Sequence, residues 1–426
     1  MNRNSIAFIS IIIILFFEGA ARKWLSGSLT LPAILIRDFL CGYLIVFGYK
    51  EIFLKKDIVF LQLSFLTSFI LVIFILIQTI FVHKSVIIAL IGIRFWVVYP
   101  LAAIIAALSI NHKDYKIVVR YLAYSLFILV PLALVQYNLP PSSFLNKQVE
   151  EEGYVFELVS GVVRVTGTFS FTLGYSIYMT FVLNLCYMVY LRNQYFNVTR
   201  FLSVVFLFLA LMGCLISGSR AVAITTVFSL IFFVSALIFS KQNKNTFIVN
   251  LLILAILSIS LVLVSNSQYV YNISERFVSA SYSEDLSLRL SNMIFGESRF
   301  KLDPSLLGQG LGSGSNLTSQ LTGKDGFYLG ETETARSYNE SGLSFMLIIA
   351  AKLYFALCGF YYSLKNIIVH RDFSIFILWF VAIQILFLWQ LSAQLTVNGL
   401  GYLFLSIFAL SIRYLDPARS YEKYHN

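Results

Sequence analysis

Ionisable side chains set in or beside long apolar runs are the first candidates for chemistry, because a charge at the middle of a membrane costs about 3 kcal/mol unless it is paired or solvated. In this chain they are Glu18, Arg22, Arg37, Asp38, Arg94, Arg220 and Lys352, and two polar stretches add Arg164, Arg276, Arg289, Arg299, Lys301 and Arg336. Three of the arginines stand where a loop turns into an apolar helix. Arg164 opens RVTGTFSFTLGYSIYM, Arg220 follows Ser217-Gly218-Ser219, and Arg336 lies in ETETARSYNESG. Guanidinium binds phosphate bidentately and a helix N-terminus attracts anions, so arginines so placed suit a phosphate or pyrophosphate. The plainer reading is that each meets a lipid headgroup. Asp38 can neutralise Arg37 or Arg94 as a purely structural pair.

Carboxylates next to these arginines supply the complementary function. Glu331, Glu333 and Glu340 can each take a proton from a hydroxyl, a task for a positioned carboxylate. If residues 336–342 are helical, Glu340 and Arg336 lie one turn apart and can simply pair. The run Gly308-Gln-Gly310-Leu-Gly312-Ser-Gly314 is either a turn or a place where backbone closely approaches a phosphate or sugar. A dinucleotide fingerprint requires a strand before it and a helix after it, and this run sits in a loop between helices. No metal or cofactor is expected. The histidines (His83, His112, His370, His425) are scattered, and Cys41, Cys186, Cys214 and Cys358 sit inside apolar runs without paired spacing. Glu150-Glu151-Glu152 reads as a solvated loop face.

The elements that must position these groups are membrane helices. Apolar residues make up 58% of 426 and charged residues 12%, against about 25% in a soluble domain; mean hydropathy is +0.81. Apolar segments lie near 5–20, 30–49, 58–82, 85–109, 116–137, 171–191, 201–217, 221–240, 246–265, 341–363, 373–390 and 394–412. Each approaches the roughly 17–25 residues a spanning helix needs, which predicts an all-α polytopic integral membrane protein of about twelve transmembrane helices. The first run is kept as a helix, because Glu18 within it and Arg22-Lys23-Trp24 after it make a poor cleavage site.

The predicted organisation is helices in 1–137, a loop at 138–170, helices in 171–265, a large loop at 266–340, helices in 341–413 and a tail at 414–426. With the N-terminus inside, fifteen Lys and Arg fall in seven short segments on one face, while the short loops opposite hold only Arg22, Lys23, Lys84 and Arg220. Short-loop cations mark the cytoplasmic side, so both termini are expected there and both long loops outside. The net charge of +10 therefore belongs to membrane orientation, and nucleic acid is not an expected partner. Outside the cytoplasm there is no nucleotide-sugar supply, so chemistry there needs a donor already activated in the membrane.

Four stretches resemble a known family. Phe17-Glu18-Gly19-Ala20-Ala21-Arg22-Lys23-Trp24 with Ile36-Arg37-Asp38 resembles the EGxxRKW…RD opening of an exopolysaccharide-polymerase branch. Arg164-Val-Thr-Gly167-Thr-Phe169 resembles an outer-loop RxxGTF element, and Ser217-Gly-Ser219-Arg220 resembles an SxSR turn. Gly308-x-Gly310-x-Gly312 followed by Glu333-x-x-Arg336-x-x-x-Glu340-x-Gly342 resembles the end of a catalytic loop. Together they resemble the O-antigen ligase and polymerase superfamily (WaaL-type ligases, Wzy-type polymerases).

The resemblance implies a GT-C-like fold with a large extracytoplasmic loop in the bacterial cytoplasmic (inner) membrane. It implies a cofactor-free, metal-independent, inverting transfer in which a sugar hydroxyl attacks the anomeric carbon of a polyprenyl-pyrophosphate-linked oligosaccharide. The partners are that lipid-linked donor, the growing glycan and membrane lipid, with a chain-length regulator and a flippase as accessories. The implied catalytic residues are Arg336, Glu340, Glu333 and Arg220. Pyrophosphate and sugar contacts fall to Arg164, Arg37, Arg22, Arg299, Gly310 and Gly312. Ligases commonly carry a His-Asn pair near the end of this loop; this chain has no histidine between His112 and His370, which moves the expected role to Arg336, Asn339 and Glu340. A ligase that transfers finished glycan to a lipid or protein acceptor is the alternative. A glycolipid transporter or flippase is the second, although no internal repeat of the kind transporters show is present.

Overall fold

Inside hydrocarbon a backbone has no water to bond, so each apolar run must satisfy its own N–H and C=O groups, which a helix does within one segment. The computed structural model is built on that rule. It describes residues 1–50, 59–148, 163–239, 285–296, 306–323, 329–330 and 332–415, with 271, 274, 275 and 278 singly. Outside the described residues lie Arg276, Arg299, Lys301, Glu331, Glu150–Glu152, the expected span 246–265, the tail from 416 and six of the cations used for orientation, as does the side chain of Arg289. The α-helices are α1 (Arg3–Ala20), α2 (Thr30–Gly48), α3 (Val59–Gln78), α4 (Val86–Ile93), α5 (Tyr99–Ser109), α6 (His112–Tyr124), α7 (Leu126–Asn138), α8 (Thr172–Leu191), α9 (Arg200–Ile216), α10 (Arg220–Phe239), α11 (Leu286–Phe295), α12 (Asn316–Thr322), α13 (Glu333–Ser341), α14 (Phe345–His370), α15 (Ser374–Phe387) and α16 (Leu395–Leu415).

Among the described residues, nine helical stretches are long and apolar enough to cross a membrane, and the chain is a multi-pass membrane protein. Eleven of the twelve expected segments are helical, but α9 and α15, at 17 and 14 residues, are shorter than a full span. The end of α15 has a cause: the chain turns after Phe387 so that Ser392 can reach Glu333, its N–H and hydroxyl donating at 3.1 and 2.8 Å. The expected span 116–137 is two helices, α6 and α7, meeting at Ser125. There the Ser125 hydroxyl donates to the Leu122 carbonyl (2.7 Å) and bonds the Tyr178 hydroxyl (2.5 Å).

The centre of the bundle is α8, buried along almost its whole length, with α16 beside it. Phe181 and Phe404 stack between them at 4.0 Å. A smaller cluster joins Leu71 and Ile75 of α3 to Ile91, Phe95 and Trp96, and receives Leu311 from the glycine run.

Side-chain bonds tie the helix ends into two opposite faces. One gathers Asn2, whose N–H donates to Asp114 (3.2 Å), Arg413, which donates to the Ala107 and Leu108 carbonyls (3.0 and 2.7 Å), and the Arg192–Asp372 ion pair. The other gathers the ends of α1, α3 and α7, the 163–170 segment, the glycine run and α13. Here Lys23 donates to the Thr166 hydroxyl (2.8 Å) and the Gly167 carbonyl (2.7 Å). The Gln136 amide oxygen accepts from the Gly167 N–H (2.8 Å), while its nitrogen donates to Leu145 and Gly167 carbonyls.

Gly19 makes that docking fit. The 168–170 backbone crosses α1 so closely that a Cβ on Gly19 would stand 2.1 Å from Ser170 N and 2.4 Å from Phe169 C. Gly19→Ala is expected to lower stability by about 1–3 kcal/mol through this overpacking, read as a fall in thermal midpoint in detergent; an unchanged midpoint contradicts the close crossing. On the opposite face, burial by itself would raise the Asp372 carboxyl, but Arg192 and the bonds from Ser374 outweigh it and hold the group below the usual carboxylate range. Its contribution is therefore complete above about pH 4 and is lost as pH falls through the lowered value. Asp372→Asn should start less stable and lose that acid-dependent step in a melting-versus-pH series.

Candidate functional site

Helix α13 starts where Thr332 caps it, its hydroxyl accepting the Ala335 N–H at 3.3 Å, with Glu333 in the first turn. An anion there complements the helix dipole. Glu333, Arg336, Ser337 and Glu340 are spaced i, i+3, i+4, i+7, so they share one face, and all four are buried. The helix is nearly all polar, so this face is held by hydrogen bonds and charge.

Glu340 is completely buried. Its Oε2 accepts the Gly312 N–H (3.0 Å) and the Trp96 indole N–H (3.3 Å), and its Oε1 accepts the Gly314 N–H (2.9 Å). Its carbonyl accepts the Gly310 N–H and the Gln78 amide, both at 3.0 Å. Gln78 also donates to the Leu307 carbonyl (2.5 Å) and accepts the Leu311 N–H (2.9 Å). The glycine run thus wraps the carboxylate like an anion-binding nest of backbone N–H groups. Gly312 has φ +91° and lies against Gly92, where an added Cβ would come 2.6 Å from Gly92 N. Only residues without a side chain let loop and helix meet that closely.

The other carboxylate is as fully engaged. Glu333 Oε1 accepts from Lys352 (3.1 Å) and Ser337 (3.3 Å), and Oε2 takes both Ser392 donors. Arg336 donates to the Gly330 carbonyl (2.9 Å), and Asn339 to the Leu329 carbonyl (2.6 Å). Lys352 lies 5.8 Å from the Trp96 ring. Lys352 and Trp96 both line a cavity of about 110 Å³ between α3, α5, α14 and α16, whose other walls include Leu71, Ile104, Phe355 and Leu405.

A second charged group lies between α1, α2 and the α4–α5 junction. Arg37, without solvent exposure, donates to Glu18 (2.5 Å) and Tyr99 (2.5 Å); Arg22 reaches Glu18 at 3.4 Å. The Tyr99 hydroxyl donates to Asp38 (2.8 Å), and Asp38 pairs with Arg94 (3.0 Å). Asp38 therefore neutralises Arg94, and Glu18 serves Arg37 and Arg22.

The structure thus brings Arg336, Glu333, Glu340, Gly310 and Gly312 into one site. It sets Arg37 and Arg22 in the neighbouring cluster, joined to the first through Trp96 and Tyr99, which are three residues apart. Arg164 lies two residues before the segment anchored by Lys23 and Gln136, half-buried, and Arg220 opens α10, also half-buried. Arg299 lies outside the described residues. Sequence reading passed over Gln78, Gly92, Trp96, Tyr99 and Ser392 as participants. The sequence carries no signal for them that periodicity or charge reveals; the structure does, for among the described helices three wide π turns occur, Ala21–Leu25, Thr79–His83 and Arg94–Val98, and such turns frequently mark functional sites. They carry Arg22 and Lys23, His83, and Arg94 and Trp96.

No family model matches the chain, and no curated protein matches it.

Removing Glu340 strands three buried N–H donors, each costing about 1–3 kcal/mol if left unsatisfied. Glu340→Ala is expected to speed amide exchange at Gly312 and Gly314 by at least tenfold. Glu340→Gln, which turns one acceptor into a donor, should fall between. Unchanged exchange in the alanine variant would remove Glu340 from this role.

Proposed function

We propose that this protein is a glycosyltransferase of the bacterial cytoplasmic membrane. It polymerises polyprenyl-pyrophosphate-linked oligosaccharide repeat units into a surface polysaccharide at the outer face, on a GT-C-like fold of about twelve spans. The observation that carries this reading is the charged face of α13 standing beside an apolar cavity between membrane helices, with Lys352 and Trp96 belonging to both. From Trp96 to Ala107 that wall runs 11 residues, roughly 16 Å at helical rise. A substrate with an isoprenoid tail and an anionic, sugar-bearing head needs such a pairing of apolar wall and cationic end. The excess of short-loop cations on the face opposite the site supports an outer location for it.

In the proposed reaction an acceptor sugar hydroxyl attacks the anomeric carbon of the donor. The new C–O bond forms as the bond to the pyrophosphate breaks, and the polyprenyl pyrophosphate leaves with that electron pair. Arg336, with Arg164 and Arg220 from the same face, stabilises the charge developing on the leaving group, a fixed electrostatic contribution that needs no reorganisation during reaction. The hydroxyl proton goes to a carboxylate. Glu333 already accepts four hydrogen bonds, whereas Glu340 Oε1 accepts one. Because a carboxylate oxygen has two lone pairs, Glu340 is the glutamate with acceptor capacity to spare.

In a strain dependent on this gene, Arg336→Ala is expected to lower polymer synthesis about 10²–10³-fold, the scale for losing one transition-state donor, with single repeat units accumulating on the carrier lipid. Chain length unchanged from wild type would defeat the assignment. Long polymer retained on the carrier lipid after loss of the gene would instead identify the ligase activity. Reconstituted protein that moves substrate across vesicles without forming glycosidic bonds would identify transport.

A further inference from the structure

His83 ends α3 in the wide turn Thr79–His83, five residues after the Gln78 that fastens the glycine run. Its Nδ1 accepts the Ser85 N–H at 3.1 Å. A backbone N–H is only a donor, so Nδ1 bears no proton and, in the neutral ring, the hydrogen sits on Nε2. That Nε2 is shielded from solvent and has no hydrogen-bond partner among the described residues. A buried donor left unsatisfied is costly, and such groups in native structures call for an explanation.

The surroundings point the same way. Gly310, at φ +106°, lies on the ring: a Cβ there would stand 2.5 Å from His83 Cδ2 and 3.2 Å from Nε2. Any other residue at 310 would crowd the space beside the donor. Lys84 follows in the left-handed region (φ 50°) and reverses the chain, a conformation that is costly for a residue with a side chain. The turn therefore fixes the ring direction against the glycine run. Among the described residues His83 is the histidine on this face, since His112 packs with Tyr195 and Tyr414 and His370 ends α14 at the other.

We propose that His83 is a substrate-binding residue whose Nε2–H donates to an oxygen of the ligand held over Gly310. The ligand's identity rests on the reading above: the acceptor is an oxygen of the lipid pyrophosphate or of its sugar. No proton changes hands in this contact; the neutral ring orients the ligand by one hydrogen bond.

The test uses full-length protein in lipid nanodiscs with nitrogen-15 histidine, the His83 resonance being assigned by its loss in His83→Gln. Polyprenyl pyrophosphate without sugar and the free oligosaccharide repeat are titrated separately. A shift of the His83 Nε2 signal with the first identifies a phosphate oxygen, and with the second a sugar oxygen; no shift with either overturns the proposal. In glycosyl-transfer assays, His83→Ala should lower kcat/KM about 10–100-fold, the range for one hydrogen bond to a charged acceptor. His83→Gln, which keeps an N–H at similar reach, should recover part of it, with amide exchange at 308–315 as in wild type. Activity of the alanine variant within twofold of wild type overturns the proposal. If the wild-type protein forms no glycosidic bond, the polymerase reading fails, and the ring-nitrogen titration still decides whether His83 meets the lipid pyrophosphate.

Discussion

A carboxylate taken wholly out of water must be given hydrogen bonds in place of those it lost, and at Glu340 that requirement organises one end of the bundle. The donors it takes are backbone N–H groups of Gly312 and Gly314 and the indole of Trp96. To present them, the glycine run must fold back over α13. To fold back it must lie against Gly92, and to stay there it is fastened by Gln78 at Leu307 and Leu311. One buried charge thereby links a polar loop to two membrane helices that precede it by more than two hundred residues. Its neighbour Glu333 does the same for α14 and the turn after α15 through Lys352 and Ser392.

The two charged clusters differ in what they can offer a ligand. Around Glu18 and Asp38 the acids and the arginines Arg22, Arg37 and Arg94 pair with each other and with Tyr99. Breaking one such buried pair costs about 3–5 kcal/mol because it abandons the partner's charge in the interior. The geometry thus makes this cluster a brace for α1, α2 and α5. The α13 cluster is different: its nest of backbone N–H groups is taken by Glu340 and Lys352 is paired with Glu333, while Lys352 and Trp96 also stand on the wall of an apolar cavity. Trp96, bonded to Glu340, and Tyr99, bonded to Arg37 and Asp38, stand one turn apart between the two clusters.

Two of the short patterns singled out along the chain meet in space. Gly19 admits the 168–170 backbone and Lys23 binds Thr166 and Gly167, so the opening motif and the RxxGTF element form one joint. Around the wide turn that ends α1, Glu18 holds Arg37 and Arg22, while Gly19 and Lys23 both meet the 166–170 segment.

The sequence by itself determined that this is a helical membrane protein and where most of its described helices run, because hydrocarbon forces each apolar segment to close its own backbone bonds. It also marked the Gly308–Gly314 run and ETETARSYNESG as polar stretches and put Arg336 and Glu340 one turn apart if that segment is helical; that the helix begins at Glu333, inside the expected loop, and sets Glu333 on the same face came from the structure. What it left open was every partner: Asp38 with Arg94 rather than Arg37, Glu340 with two glycines and a tryptophan, His83 against Gly310. Periodicity states which side of a helix a residue occupies, but not which other helix will stand there. Those pairings join positions as far apart as 244 residues, and only the packing of the bundle, which sets which helix ends share a face and at what height, decides them.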